Sequence, residues 1–183
     1  MDKVLYFGYG ANSDSRMMEA ITGSQNLVGK PAVLKDWELC LQRLDQIPDR
    51  VVSSAPVPLS PQKEIRRNWD ENFLTYVIRP ANGKEVHGTM WELTPQEREL
   101  VRDWEMVDFG WYEDEDVEIV TPEGAIQVQT EVLGDEQEID RVVDEAGYPP
   151  FPNDLSDFLR IAEQSRREYF QRLEGKSASK EDE

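Results

Sequence analysis

Alternating hydrophobic and polar residues recur through the first two thirds of the chain. They predict strands near residues 3 to 8, 27 to 34, 36 to 43, 73 to 79, 85 to 93, 112 to 120 and 125 to 133. Asn82-Gly83 and Pro122-Glu123-Gly124 have turn chemistry that predicts antiparallel hairpins. Helical periodicity takes over in places. Thr94-Pro95-Gln96-Glu97 is a capping box with proline at the first helical position, so a helix starts there, with Leu100, Val101 and Trp104 on the face that packs on the sheet. Glu105 falls one turn beyond Val101, near the C-terminal end of that helix. Asn153 to Leu173 places Leu155, Phe158, Leu159, Ala162, Tyr169 and Phe170 at helical spacing, a core-facing stripe. Gly175 to Glu183 is polar and reads as a disordered acidic tail. Residues 45 to 71 hold Pro48, Pro56, Pro58 and Pro61 with little periodicity, and read either as a long loop or lid over one rim or as a disordered insertion.

The elements describe a mixed α and β chain, and 183 residues suit a single domain over residues 1 to 174. Composition, 38% hydrophobic and 32% charged, belongs to a globular protein with a hydrated surface. No apolar run approaches membrane-spanning length, and Met1-Asp2-Lys3 opens directly into a strand rather than a signal peptide, so the expected location is the cytoplasm with no membrane partner. The net charge of −18 argues against a nucleic-acid partner, which needs Lys and Arg to neutralise phosphates. Solubility or a high-salt cytosol would each account for such acidity; only seven of the twenty basic residues are lysine, which leans toward the second. Cys40 is the only cysteine, so no intramolecular disulfide forms.

The densest local signal is Leu5-Tyr6-Phe7-Gly8-Tyr9-Gly10-Ala11-Asn12-Ser13, an apolar strand running into a glycine loop. Its two glycines permit backbone conformations in which successive N–H groups converge into a nest for a carboxylate or oxyanion. Asn12 or Ser13 is placed to cap a short helix over Asp14 to Ile21. The loop lacks the Lys-Ser/Thr pair of a phosphate loop and the third glycine of the dinucleotide fingerprint.

This segment resembles the Tyr-Phe-Ala-Tyr-Gly-Ser-Asn-Leu signature of the γ-glutamylcyclotransferase family, the AIG2-like proteins. Tyr6, Phe7, Tyr9, Gly10 and Asn12 match; Gly8 and Ala11 are small replacements, and Ser13 stands where leucine is usual. Ala32 to Leu39, Val86-His87-Gly88-Thr89-Met90-Trp91-Glu92-Leu93, and Trp104-Glu105-Met106-Val107 with Gly110-Trp111-Tyr112 are similar to three further landmarks of the family, the last being its catalytic glutamate and downstream aromatic. The resemblance runs over roughly residues 3 to 133. It implies an α+β fold, a mixed, largely antiparallel sheet curled into a small barrel with flanking helices.

For function, the resemblance implies a cofactor-free enzyme in which the α-amine of a γ-glutamyl group attacks its own γ-carbonyl, giving 5-oxoproline and a free amine. Glu105 is then the proton shuttle, and Tyr6, Gly8, Tyr9, Gly10, Ala11, Asn12 and Tyr112 are the substrate-binding residues. Such a shuttle needs a raised pKa; Trp104, Met106 and Val107 desolvate it, and the helix C-terminus disfavours its charge. One departure concerns the leaving group. Family members often carry a substrate-contacting tyrosine after a Pro-Ser-Pro turn, whereas Pro149-Pro150-Phe151-Pro152-Asn153-Asp154 ends in an acid that, if it points inward, favours neutral or cationic amines.

Other chemistries lack their parts. One histidine and one cysteine cannot make the usual zinc sets, and no carboxylate run has calcium-loop spacing, so no metal is expected. His87 has no nucleophile-elbow serine, and nothing near Cys40 activates a thiolate. The expected partner is a small γ-glutamyl substrate, bound by a monomer or homodimer. The alternative is a non-catalytic protein that uses the same pocket to hold a small acid or a partner's terminus.

Overall fold

In the computed structural model, which describes residues 2–143 and 153–181, two long strands dominate. They are β2 (Val28–Arg43) and β3 (Leu74–Leu93), with β1 (Val4–Gly8) before them and β4 (Glu113–Thr121), β5 (Gly124–Val132) and the short β6 (Arg141–Val142) after. Hydrogen bonding runs β3-β1-β5-β4-β2 and returns from β2 to β3, closing a five-stranded barrel; β6 joins the far part of β2. The β1–β5 pairing is parallel and all the others are antiparallel.

The barrel closes because β2 and β3 turn a corner together. Asp36 adopts φ 65° at a register shift between Lys35 and Trp37, and opposite it the pairing jumps from Glu85 to Pro80. Residues 81 to 84 bulge out there, held by the Gly83 amide donating to Asp36 Oδ1 at 3.0 Å. Asn82-Gly83 therefore does not close the expected hairpin: both flanking segments pair with β2, not with each other. The expected breaks at 35 and 80 to 84 are bends in continuous strands. Pro122-Glu123 does close the β4–β5 hairpin, with Thr121 opposite Gly124.

Alternation along each strand feeds two cores. Phe7, Leu34, Ile78, Val86, Ile119 and Val128 fill one, inside the barrel. Tyr6, Cys40, Trp91 and Leu93 point the other way, toward the helices α1 (Ser15–Thr22) and α3 (Pro95–Trp104) and the long α4 (Leu155–Glu181), which supply Met17, Met18, Ile21, Leu100, Val101 and Phe158. Each fully buried side chain of this size stabilises the fold by about 1.5–3 kcal/mol before entropy is subtracted. Arg166 of α4 ties the helices together by donating to the Ala20 carbonyl at 2.7 Å.

Three details differ from expectation. Asp14, not Asn12 or Ser13, caps α1: its carboxylate accepts from the Arg16 amide, because residues 10 to 13 are consumed in a 3₁₀ turn. α4 runs on to Glu181, where the polar composition predicts a disordered tail; beyond Gly175 the sequence holds ordinary helix formers and no proline. The proline-rich excursion carries the helix α2 (Pro61–Arg66), capped by Ser60 and held to residues 47 to 49 through Gln62 and the Ser60–Asp49 hydrogen bond of 2.7 Å.

Candidate active site

The glycine loop is packed so closely that its sequence has little freedom. A Cβ on Gly8 would lie 2.3 Å from the Asn12 carbonyl oxygen, and one on Gly88 would lie 2.3 Å from the Gly8 carbonyl oxygen. Gly10 has φ +59°, starting the 3₁₀ turn of residues 10 to 13, whose first amides, Gly10 and Ala11, have no acceptor within the turn. Trp91 Nε1 donates to the Asn12 carbonyl at 2.8 Å, and Thr89 Oγ1 to the Ser13 carbonyl at 3.1 Å, so β3 fixes the loop from below.

That anchoring aims the Asn12 side chain. Its Nδ2 donates to Glu105 Oε1 at 2.7 Å and to the Tyr6 hydroxyl at 3.0 Å. Glu105 arrives from the other direction, as the C-cap of α3, its amide bonded to the Val101 carbonyl at 2.9 Å. The chain then turns sharply, with Met106 at φ 53° and Gly110 at φ 85°, which brings Trp111 and Tyr112 back beside it.

Beneath lies a second carboxylate. Glu131 of β5 is buried and paired with buried Arg98 of α3 at 2.6 Å; Arg98 also bonds Gln129 and Asp114 at 3.0 Å each, and stacks 4.8 Å over the Tyr6 ring. The Tyr6 hydroxyl bonds Glu131, completing a chain from Arg98 through Glu131, Tyr6 and Asn12 to Glu105. Burial, and next the charge of Glu131, push the Glu105 pKa up to about 8, against the pull of the Asn12 hydrogen bond and Arg98. Burial raises Glu131 as well, with Arg98 opposing. Burial also raises Tyr6, Tyr9 and Tyr112, so their hydroxyls stay protonated donors.

Glu105 keeps part of its surface as the wall of a cavity that opens to solvent. Of the sequence-derived residues, Tyr9, Gly10, Ala11, Asn12, Glu105 and Tyr112 line it. Tyr6 and Gly8 do not; they sit behind Asn12, positioning it. Tyr112 is held by its own hydroxyl, which donates to the Tyr76 carbonyl at 2.6 Å and lies 3.1 Å from Thr75 Oγ1. Glu131 and Arg98 are the members that sequence reasoning missed. Strict alternation in 125 to 133 marks Glu131 as a polar outward position, and it is one, but α3 covers that face and supplies the arginine.

No family model matches the chain, and no curated protein does. Solved structures do. A γ-glutamyl cyclotransferase is 17% identical with a TM-score of 0.55, the match covering 94% of this chain and 87% of that one. The Homo sapiens protein loc79017 is 19% identical with a TM-score of 0.52, over 76% and 70%. At5g39720.1 of Arabidopsis thaliana is 16% identical with a TM-score of 0.50, over 94% and 91%. The chain has the γ-glutamylcyclotransferase-like fold.

Within this γ-glutamylcyclotransferase-like fold, Asp154 does not point inward. It is exposed, accepts from the Ser156 amide at 2.9 Å and is held below the usual carboxylate range by its bonds to Ser156, capping α4. The preference for neutral or cationic amines expected from Asp154 therefore loses its basis; Pro149 to Pro152 lie outside the described residues. His87 is exposed with Nε2 2.9 Å from Glu85 Oε1, and Cys40 is fully buried in the core between the sheet and the helices; neither lines the cavity. Among the described residues no helix is long and apolar enough to cross a membrane.

Proposed function

We propose that the protein is a γ-glutamylcyclotransferase that converts a γ-glutamyl amino acid, amine or amide to 5-oxoproline and the free amine. The observation that carries this reading is Glu105: a carboxyl in the wall of a cavity, with its pKa raised to about 8, 2.7 Å from a side chain of the glycine loop. Binding an anionic ligand gives no reason to place an acid there, whereas moving a proton near neutral pH does.

The reaction balances without a cofactor. The substrate's neutral α-amine attacks its γ-carbonyl carbon, forming the ring C–N bond, and Glu105 in its ionised form takes the proton this nitrogen sheds. The tetrahedral intermediate collapses, the original amide C–N bond breaks, and Glu105 returns the proton to the departing nitrogen. The amides of Gly10 and Ala11 hold the glutamyl end and the oxyanion. Folding the substrate into its attacking conformer is worth about 7–11 kcal/mol in favourable cases.

The test is 5-oxoproline release, by mass spectrometry, from γ-glutamyl amino acids, γ-glutamyl amines and glutathione. Release by the wild type that vanishes in Glu105→Gln supports the reading; no release from any compound by folded protein turns it toward a ligand-binding pocket.

A further inference from the structure

The cavity lining has a part that this chemistry does not use. Ile65, Trp69, Phe73, Phe158 and Ile161 come together from α2 and the turn after it, the approach to β3, and α4. Ring centroids lie 4.6 Å apart for Trp69 and Phe158, 5.4 Å for Trp69 and Phe73, and 6.3 Å for Phe73 and Phe158, all tilted. Phe73 and Phe158 are buried, while Trp69 is half-buried and keeps surface toward the cavity.

The carboxyls that line the cavity have no free cation beside them among the described residues. Among the described residues the cavity is lined by Glu64, Glu105 and Glu131 and by no Lys or Arg. Arg67, beside the lining residue Asn68, is held by both Glu64 oxygens at 2.8 and 2.9 Å and by Glu168 at 3.3 Å. Arg98 is held by Glu131 and Asp114. A second carboxylate on the substrate, beyond the glutamyl one, would be desolvated there while the nearby arginines among the described residues, Arg67 and Arg98, are already held by protein carboxylates.

Resting on the cyclotransferase reading, we propose that this wall is the leaving-group subsite and that it selects γ-glutamyl amides of alkylamines that carry an aromatic ring and no carboxylate. The amine's ring packs against Trp69, Phe73 and Phe158, and the amide it leaves lies at Glu105.

Three compounds test this: γ-glutamyl-phenethylamide, γ-glutamyl-phenylalanine, which adds a carboxylate, and γ-glutamyl-methylamide, which lacks the ring. kcat/KM for 5-oxoproline release is read with the wild type, and Kd by calorimetry with Glu105→Gln. The phenethylamide is expected to lead both others by about tenfold or more in each readout. Trp69→Ala should erase its lead over the methylamide. Asn68→Arg, a change in the cavity wall, should raise γ-glutamyl-phenylalanine about fivefold or more relative to the phenethylamide. Equal or better performance by γ-glutamyl-phenylalanine or the methylamide, or no binding of the phenethylamide, overturns the subsite. Absent turnover with the binding order retained rejects the cyclotransferase reading and leaves the aromatic site standing; turnover of all three at one rate does the reverse.

Discussion

Asn12 and Glu105 stand 93 residues apart in sequence and 2.7 Å apart in space, joined by a hydrogen bond from Nδ2 to Oε1. The bond favours the ionised carboxylate and so opposes the burial that pushes the Glu105 pKa to about 8. In a pH profile of kcat/KM for 5-oxoproline release, a rising limb near pH 8 is expected from Glu105. Asn12→Leu should lower activity and move that limb to higher pH. A limb that stays in place would detach Asn12 from the titration of Glu105.

The same shift makes a stability prediction. Folded Glu105 holds its proton up to about pH 8, whereas in the unfolded chain it loses it near the ordinary value of 4.5. Its contribution to stability is therefore fully present below the unfolded value and is lost as pH rises through the folded one. Glu105→Gln removes the titration, so the variant's Tm advantage over wild type should grow from pH 5 to pH 9. An advantage independent of pH would contradict the shift.

Arg98 and Glu131 form a buried pair under the site, each nearly inaccessible. Arg98→Met strands the carboxylates of Glu131 and Asp114 and should cost about 3–5 kcal/mol in urea unfolding. Adding Glu131→Met should cost much less than the sum of the single changes. Additive costs would show that the pair does not act as a unit.

Gly8 has no room for a methyl group. Gly8→Ala must push the Asn12 carbonyl, 2.3 Å from the new Cβ, off Trp91 Nε1, and should destabilise by about 1–3 kcal/mol while lowering activity through the displaced Asn12. Gly175→Ala is the control. Nothing lies within 4 Å of a Cβ there, so it should stabilise α4 by about 0.5–1 kcal/mol with activity unchanged.

What was legible in the sequence was local. The capping box of Thr94 and Glu97 fixes the start of α3, and the spacing from it delivers Glu105 to the helix end. The glycine loop is similarly self-declaring as a motif, but its two glycines serve different ends: Gly10 takes the positive φ that the sequence suggests, whereas Gly8 is demanded by the close approach of the Asn12 carbonyl, which only the fold reveals. What could not be read depends on partners distant in sequence. Nothing around Asn82-Gly83 says that both flanking segments will pair with one long β2, and nothing around Glu131 says that Arg98 will cover it. Tyr6 and Tyr9 divide for the same reason: one meets the helices behind Asn12, while the other packs in the barrel and lines the cavity.

Product identity in water enriched in oxygen-18 tests the central claim most directly, using a γ-glutamyl amide with wild type and Glu105→Gln side by side. Intramolecular attack predicts 5-oxoproline carrying no oxygen from water, formed by the wild type and lost in a folded Glu105→Gln. Labelled glutamate, the mark of hydrolysis, or 5-oxoproline formed equally well by the variant, would contradict it.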